Sequence, residues 1–322
     1  MHAFNATTGE QQWTAEFDRE DDRPIAGQPG LAVDDTSVYF STYNGCRRIN
    51  RSDGDERWLS DIGLVAPVMS EGTLYGVGFG DDVSLGTYGI NVANGELTWQ
   101  GEQADDNALP AGPLALDDEH VYTIIGSGVI RAQSRSDGSE AWSHALERND
   151  TPNFTSRIFP QHPVTADDLV LAGLSGALIR NHRVANRLVA LSTSEGEEQW
   201  TFEAPSESTL SVAPIIHDGT VVVGTTNLQD GESELHGLRA DDGEERWSEE
   251  IDGTTFGSPV CDGRRVYVPL PRGYAAHRLD DGSEVWNEGD VGSLIPHHGT
   301  ALGSGGLYPK PTSDHVRGLR DD

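Results

Sequence analysis

All seven tryptophans of the chain, Trp13, Trp58, Trp99, Trp142, Trp200, Trp247 and Trp286, stand four residues after a glycine, at Gly9, Gly54, Gly95, Gly138, Gly196, Gly243 and Gly282. A spacing kept this strictly marks a repeat protein, because a short supersecondary unit cannot bury its apolar face alone and must stack on copies of itself. Successive tryptophans are 45, 41, 43, 58, 47 and 39 residues apart. With one long exception, that is the period of four-stranded propeller blades.

Each interval repeats one order of signals. In the fifth, Leu210–Ile216 reads as an inner strand and His217-Asp218-Gly219 as a turn that tolerates positive φ. Thr220–Gly224 follows as a β-branched second strand, and Leu235–Arg239 is the third. Asp241-Asp242-Gly243 then turns the chain into Glu244–Trp247, which alternates polar and apolar residues as a half-exposed outer strand does. The same grammar recurs at Pro67, Pro113, Pro163 and Pro259, each ahead of an apolar pair such as Leu74-Tyr75 or Val266-Tyr267. No stretch carries a 3.6-residue apolar period. The expected fold class is all-β, a propeller of four-stranded blades forming one domain over residues 1–322.

Six complete blades fit between Trp13 and Trp286. The chain opens on Met1–Phe4, already a third strand, and ends at Val316–Asp322 without a Trp strand. If Glu10–Phe17 supplies the missing fourth strand, the ring closes as seven blades through its N- and C-terminal strands and leaves no exposed edge. Eight blades is the rival count, since the first third strand duplicates one at the C-terminus. From that overlap we expect an N-terminal segment upstream of Met1.

The formal net charge is −31, from 53 acidic residues against 22 basic ones, of which Lys310 is the single lysine. Such a surface repels nucleic-acid phosphate and anionic lipid. It suits concentrated salt, where a Debye length of about 3 Å at 1 M screens self-repulsion, so a halophilic source is expected. No run of apolar residues is long enough for a membrane span, and no signal peptide is expected within residues 1–322, since they open inside a repeat. Cys46 and Cys261 lie far apart in sequence; a disulfide between them is not expected, and two thiols exclude a cysteine-rich metal site.

The pattern Ala-x-Asp-x-x-Thr-Gly-x-x-x-Trp, best kept at Ala190–Trp200 and Ala3–Trp13, resembles the tryptophan-docking motif of PQQ-binding-like β-propeller repeat proteins. The resemblance covers essentially the whole chain. The motif's Asp position is here Asn5, Asn50, Asn91, Ser134, Ser192, Arg239 and Arg278, so the copies are degenerate. The resemblance implies that each indole wedges between neighbouring blades, giving the seven tryptophans and their glycines a structural docking role. Its enzymatic branch, alcohol and sugar dehydrogenases, holds pyrroloquinoline quinone with Ca²⁺. This chain lacks the vicinal cysteines of the alcohol type and has no tryptophan outside the motif. The other branch is similar to the lipoprotein that assists outer-membrane barrel assembly and to archaeal cell-surface propellers.

The expected function is therefore a monomeric, non-catalytic scaffold that binds protein partners through its loops at a halophile's cell surface, with no cofactor and no catalytic residue. A quinone- and calcium-dependent dehydrogenase is the first alternative, and a sensor or ligand-binding module of a larger protein the second. His162, His297 and His298 are weak metal candidates against a reading as polar channel lining. Arg180, Arg183 and Arg187 form a basic stretch that fits an acidic partner or an anion, against a reading as solvated arginines paired with nearby carboxylates. Sequons begin at Asn5, Asn149 and Asn153, and support export weakly. Gly173–Gly176 lacks the spacing of a nucleophile elbow, and no glycine-rich loop leads into a lysine.

Overall fold

The computed structural model describes residues 1–5, 8–16, 31–42, 45–80, 83–101, 113–125, 128–146, 158–176, 186–227, 229–253, 255, 258–270, 273–288, 301–303 and 306–308. Among them every regular element is a β-strand. β1 (His2–Phe4) and β2 (Gln11–Thr14) form a two-stranded sheet. Six four-stranded sheets follow in chain order. The first is β3 (Leu31–Val33), β4 (Ser37–Thr42), β5 (Gly45–Asn50) and β6 (Glu56–Ser60); the second is β7 (Gly63–Ser70), β8 (Thr73–Gly80), β9 (Val83–Asn91) and β10 (Leu97–Gln100). The third is β11 (Ala115–Leu116), β12 (His120–Ile125), β13 (Val129–Ser134) and β14 (Glu140–Ala145); the fourth is β15 (Ile158–Ala166), β16 (Leu169–Gly176), β17 (Arg187–Ser192) and β18 (Glu198–Glu203). The fifth is β19 (Ser208–His217), β20 (Thr220–Asn227), β21 (Ser233–Arg239) and β22 (Glu245–Ile251); the sixth is β23 (Val260–Cys261), β24 (Arg265–Leu270), β25 (Gly273–Arg278) and β26 (Glu284–Glu288). A last pair, β27 (Ala301–Gly303) and β28 (Gly306–Tyr308), stands as its own sheet.

Each four-stranded sheet is an antiparallel meander in sequence order, the blade of a β-propeller. The six complete blades read from the tryptophan intervals are these six sheets. The terminal pairs β1–β2 and β27–β28 are not joined to each other by described strand pairing. By packing, the chain divides into two compact units, residues 1–125 with 131–142, and residues 126–130 with 143–322.

Strand chemistry explains the packing. β20 is almost wholly buried, so both faces of its valine run are apolar. Val221 and Val223 pack with Leu171, Leu188 and Trp200 of the fourth sheet, whereas Val222 packs with Val266 and Val268 of the sixth. The period of two thus sends alternate valines to opposite neighbours. In the first unit, Tyr39 and Cys46 share a core with Leu64, Leu74, Tyr88 and Ile90, and Tyr75, Val77 and Trp99 share another with Leu114 and Val121.

Turns and prolines sit where backbone geometry demands. The pairs Glu71-Gly72 (φ 48° and 78°) and Asp218-Gly219 (φ 47° and 67°) supply the two positive φ values of a tight hairpin turn. Pro67, Pro163 and Pro214 each fall where the inner strand slips register against the second strand. Proline has no N–H for the ladder, so a bulge is where a strand tolerates it.

Candidate functional site

The two ends of each sheet differ. At one end lie the turns between first and second strands and those between third and fourth. The latter span residues 51–55, 92–96, 135–139, 193–197, 240–244 and 279–283, five residues every time. At the other end lie the second-to-third connections, 43–44, 81–82, 126–128, 177–186, 228–232 and 271–272, and the links from one sheet to the next, 15–30, 61–62, 101–114, 146–157, 204–207 and 252–259. These vary widely. Connections free to vary on a fixed frame are where binding residues usually lie.

The uniform turn end is committed to packing. Trp13 donates its indole N–H to the carbonyl of Arg51 (2.8 Å), Trp58 to Val92 (2.9 Å) and Trp99 to Arg135 (2.8 Å). In the second unit Trp200 donates to Ala240 (2.6 Å) and Trp247 to Leu279 (3.2 Å). Each acceptor belongs to the next sheet, directly after the degenerate Asp position of the motif. The ring of each also lies on that sheet's turn glycine: a β-carbon on Gly54 would come within 2.8 Å of Trp13, and one on Gly243 within 2.6 Å of Trp200. The seven motif glycines, Gly9, Gly54, Gly95, Gly138, Gly196, Gly243 and Gly282, all have φ between 69° and 81°. Trp142 and Trp286 meet tyrosines of their own sheets in tilted ring contacts, 5.8 Å from Tyr122 and 6.0 Å from Tyr267.

A second device was not anticipated from sequence. Asp34 accepts hydrogen bonds from the amides of Thr36 and Ser37 and from the Tyr39 hydroxyl (2.8 Å), and the Tyr39 ring lies 6.0 Å from Trp58. Asp117 with Tyr122 and Trp142, and Asp262 with Tyr267 and Trp286, repeat the arrangement. Burial raises the pKa of each carboxyl, but the donors outweigh it and hold all three below the usual carboxylate value. Burial and the neighbouring Asp34 push the Tyr39 hydroxyl up to about 12. The five-residue step from Asp to Tyr was the available signal. A third device pairs strand three with strand four: Arg47 with Glu56, Arg131 with Glu140 (2.8 Å) and His236 with Glu245 (2.9 Å).

At the variable end, the fourth and fifth sheets carry a polar rim. The Thr209 hydroxyl donates to Asn186 Oδ1 (3.0 Å), Thr226 to Ser211 Oγ (2.8 Å), and the amide of Thr255 to Ser233 Oγ (3.1 Å). His236 Nε2 lies 2.9 Å from Thr225 Oγ1. Thr209, Ser211, Thr225, Thr226, Ser233, His236 and Thr255 are all buried, and Thr255 Oγ1 has no hydrogen-bond partner among the described residues. Beside this rim Arg187 opens β17, half-buried, with Leu174 and Glu203 as cross-strand neighbours. Its Nε is buried and makes no hydrogen bond among the described residues.

Of the other candidates, His162 lies in β15 but its side chain is outside the described residues, as are His297, His298, Arg180 and Arg183. Asn149 and Asn153 are outside them too. Among the described residues no three His, Cys, Asp or Glu side chains converge as a metal site. Both cysteines are free thiols, and burial pushes that of Cys46 up to about 12, which keeps it protonated. Among the described residues no helix is long and apolar enough to cross a membrane.

A family model described as outer membrane protein assembly factor BamB matches residues 1–180 and 184–304. A curated relative, the serine/threonine-protein kinase AfsK of Streptomyces griseus, is 27% identical over 164 residues, which is 50% of this chain and 18% of the kinase. The chain thus spans under a fifth of that relative. Among solved structures, BamB from Moraxella catarrhalis superposes with a TM-score of 0.50 at 16% identity, over 89% of this chain and 94% of that one. Quinohemoprotein alcohol dehydrogenase from Comamonas testosteroni gives 0.67 at 13% identity, over 96% and 67%. The computationally designed Ika8 protein gives 0.60 at 12% identity, over 93% and 98%. At these identities the structural likeness concerns the fold alone.

Proposed function

Because the chain belongs to the family of the outer membrane protein assembly factor BamB, we propose that it is a non-catalytic β-propeller scaffold, one domain and one protomer, that binds protein partners at the cell surface of a halophile. The observation that supports this reading is the asymmetry of the sheets. Five described indoles donate to backbone carbonyls at the uniform turn end, leaving the connections of varied length at the opposite end as the place for recognition. The net charge of −31 supports a high-salt setting. The seven indoles are proposed as packing elements rather than as a platform for a quinone. The test is affinity capture from a surface extract of the source organism in molar salt, followed by mass spectrometry. Specific recovery of a protein partner is expected; no partner, together with quinone absorbance and dye reduction by an alcohol after adding the quinone and Ca²⁺, would replace the scaffold by a dehydrogenase.

The kinase relative favours a second reading, in which the propeller is a sensor or ligand-binding module of a larger protein. It predicts that the reading frame continues into another domain.

A further inference from the structure

The pairing of strand three with strand four is made by a permanent cation in two sheets, Arg47 with Glu56 and Arg131 with Glu140, and by an imidazole in the fifth. The His236 side chain is 3% exposed, with Nδ1 2.9 Å from Glu245 Oε2 and Nε2 2.9 Å from Thr225 Oγ1. Its ring also crosses a sheet boundary, lying 5.0 Å from the Phe202 ring of β18 in the fourth sheet, tilted by 50°. Glu234, on the same strand, brings a second carboxylate to 3.8 Å from Nε2, and Glu250 of β22 stands across from Glu234. The remaining charged groups of β18, β21 and β22 belong to other neighbours. Arg246 reaches the Thr220 hydroxyl (3.2 Å), Arg239 pairs with Asp242 and Glu244, and Glu249 stands across from Leu235 on the opposite face. Glu198 accepts from the Thr201 hydroxyl (2.9 Å), and Glu203 lies across from Arg187.

This ring can hold one proton or two without loss of a hydrogen bond. A neutral imidazole has one N–H and one lone pair. With its hydrogen on Nδ1, His236 donates to Glu245 and accepts the Thr225 hydroxyl at Nε2. With both nitrogens protonated, Nε2 donates to Thr225 Oγ1 instead, and the hydroxyl hydrogen turns away. Neither form leaves a buried ring N–H without an acceptor, and the charged form faces two carboxylates. His277, buried on strand three of the sixth sheet, is the contrast. Its Nδ1 lies 3.0 Å from the Gly282 carbonyl and its Nε2 has no partner among the described residues, so a second proton there would be stranded. We infer that His236 is a proton-operated clamp between the fourth and fifth sheets. Charged, it repeats the ion pair that Arg47 and Arg131 make permanently and lays a cation against the Phe202 ring; neutral, it keeps its hydrogen bonds and loses both attractions. Imidazole is the side chain that changes charge near neutral pH, so the clamp tightens in mild acid and slackens as pH rises. It operates whatever the propeller binds.

The test compares the native chain with His236→Gln, His236→Arg and Phe202→Leu by differential scanning fluorimetry in 2 M KCl at pH 5.5 and pH 8.5, each variant first checked for an unchanged circular-dichroism spectrum. A group held charged by its folded surroundings adds stability while protonated and loses it as pH rises through its folded-state titration. The lead of the native chain over His236→Gln should therefore be about 2–4 °C wider at pH 5.5 than at pH 8.5. His236→Arg should hold the same lead over His236→Gln at both pH values, and Phe202→Leu should shrink the pH-dependent part. ¹⁵N NMR of the histidine rings, scanned from pH 5 to 8.5, reads the proton directly, with His236 identified by its absence from His236→Gln or His236→Arg. Its titration should move to lower pH in Glu245→Gln, a substitution at a half-exposed side chain that keeps the shape of the pair. A lead over His236→Gln that does not change with pH, a ring that does not titrate across the scan, or a titration unmoved by Glu245→Gln would overturn the clamp.

Discussion

Replacing Gly243 by alanine separates two costs that the same turn imposes. Gly243 has φ 72°, so any β-carbon there strains the backbone, at about 1 kcal/mol. That carbon would also lie 2.6 Å from Cε3 and 2.7 Å from Cδ2 of Trp200. The indole has little room to retreat: it is 7% exposed, packs with Leu188, Leu210 and Leu238, and holds the Ala240 carbonyl at 2.6 Å. Overpacking of this kind costs about 1–3 kcal/mol, giving about 2–4 kcal/mol in all. Gly219 is the internal control, with φ 67° and nothing within 4 Å of a built β-carbon, so Gly219→Ala isolates the backbone term of about 1 kcal/mol. For a chain of this size each kcal/mol moves the melting temperature by about 2 °C. Differential scanning fluorimetry in 2 M KCl should place Gly243→Ala several degrees below Gly219→Ala. In a Trp200→Phe background, which offers the β-carbon a smaller ring, the gap should shrink. Equal melting of the two glycine variants would show that the ring does not bear on the turn, and would refute the packing reasoning.

Three further outcomes follow from particular residues. Asp34, Asp117 and Asp262 have depressed folded-state pKa values, so their contribution is present above the unfolded value near 3.8 and is lost as pH falls through the lower folded values. Melts between pH 6 and 2 should show the Asp117→Asn variant and the native chain converging at the acid end, and a constant gap would count against the donors as the cause. Ala66 sits at φ 41° before Pro67 in the bulge of β7, so Ala66→Gly should raise stability by about 1 kcal/mol in urea titration; a loss would show that the methyl packs usefully. With a net charge of −31, the melting temperature should rise between 0.1 M and 2 M KCl, and a flat or falling curve would contradict self-repulsion as the limiting term.

The repeat was legible because it depends on local demands. A tight turn needs positive φ, which glycine supplies, and an outer strand needs one large apolar residue per turn; both leave fixed marks at a fixed offset. The valine run at Thr220–Gly224 likewise announced a strand through its β-branched residues, and the structure buries it on both faces. What the sequence could not supply was the partner of each indole. Trp200 reaches Ala240, and Trp58 reaches Val92, through main-chain carbonyls that every residue type offers equally. The acceptor leaves no compositional trace.

The same holds for the candidate site. Arg180, Arg183 and Arg187 were visible as a basic stretch, but only the folded chain sets Arg187 across from Glu203 and buries its Nε. His236 read as an ordinary strand residue until strand pairing set it against Glu245, in the place that Arg47 and Arg131 hold in other sheets. Sequence alone thus determined the repeat, its blade length and the chain's acidity, since each is written in local spacing or in composition. Tertiary structure alone decided which end of the sheets is occupied by packing and which is left to vary. Antiparallel pairing sends alternate connections to opposite ends, and only the paired strands reveal that the constant ones share one end and the variable ones the other.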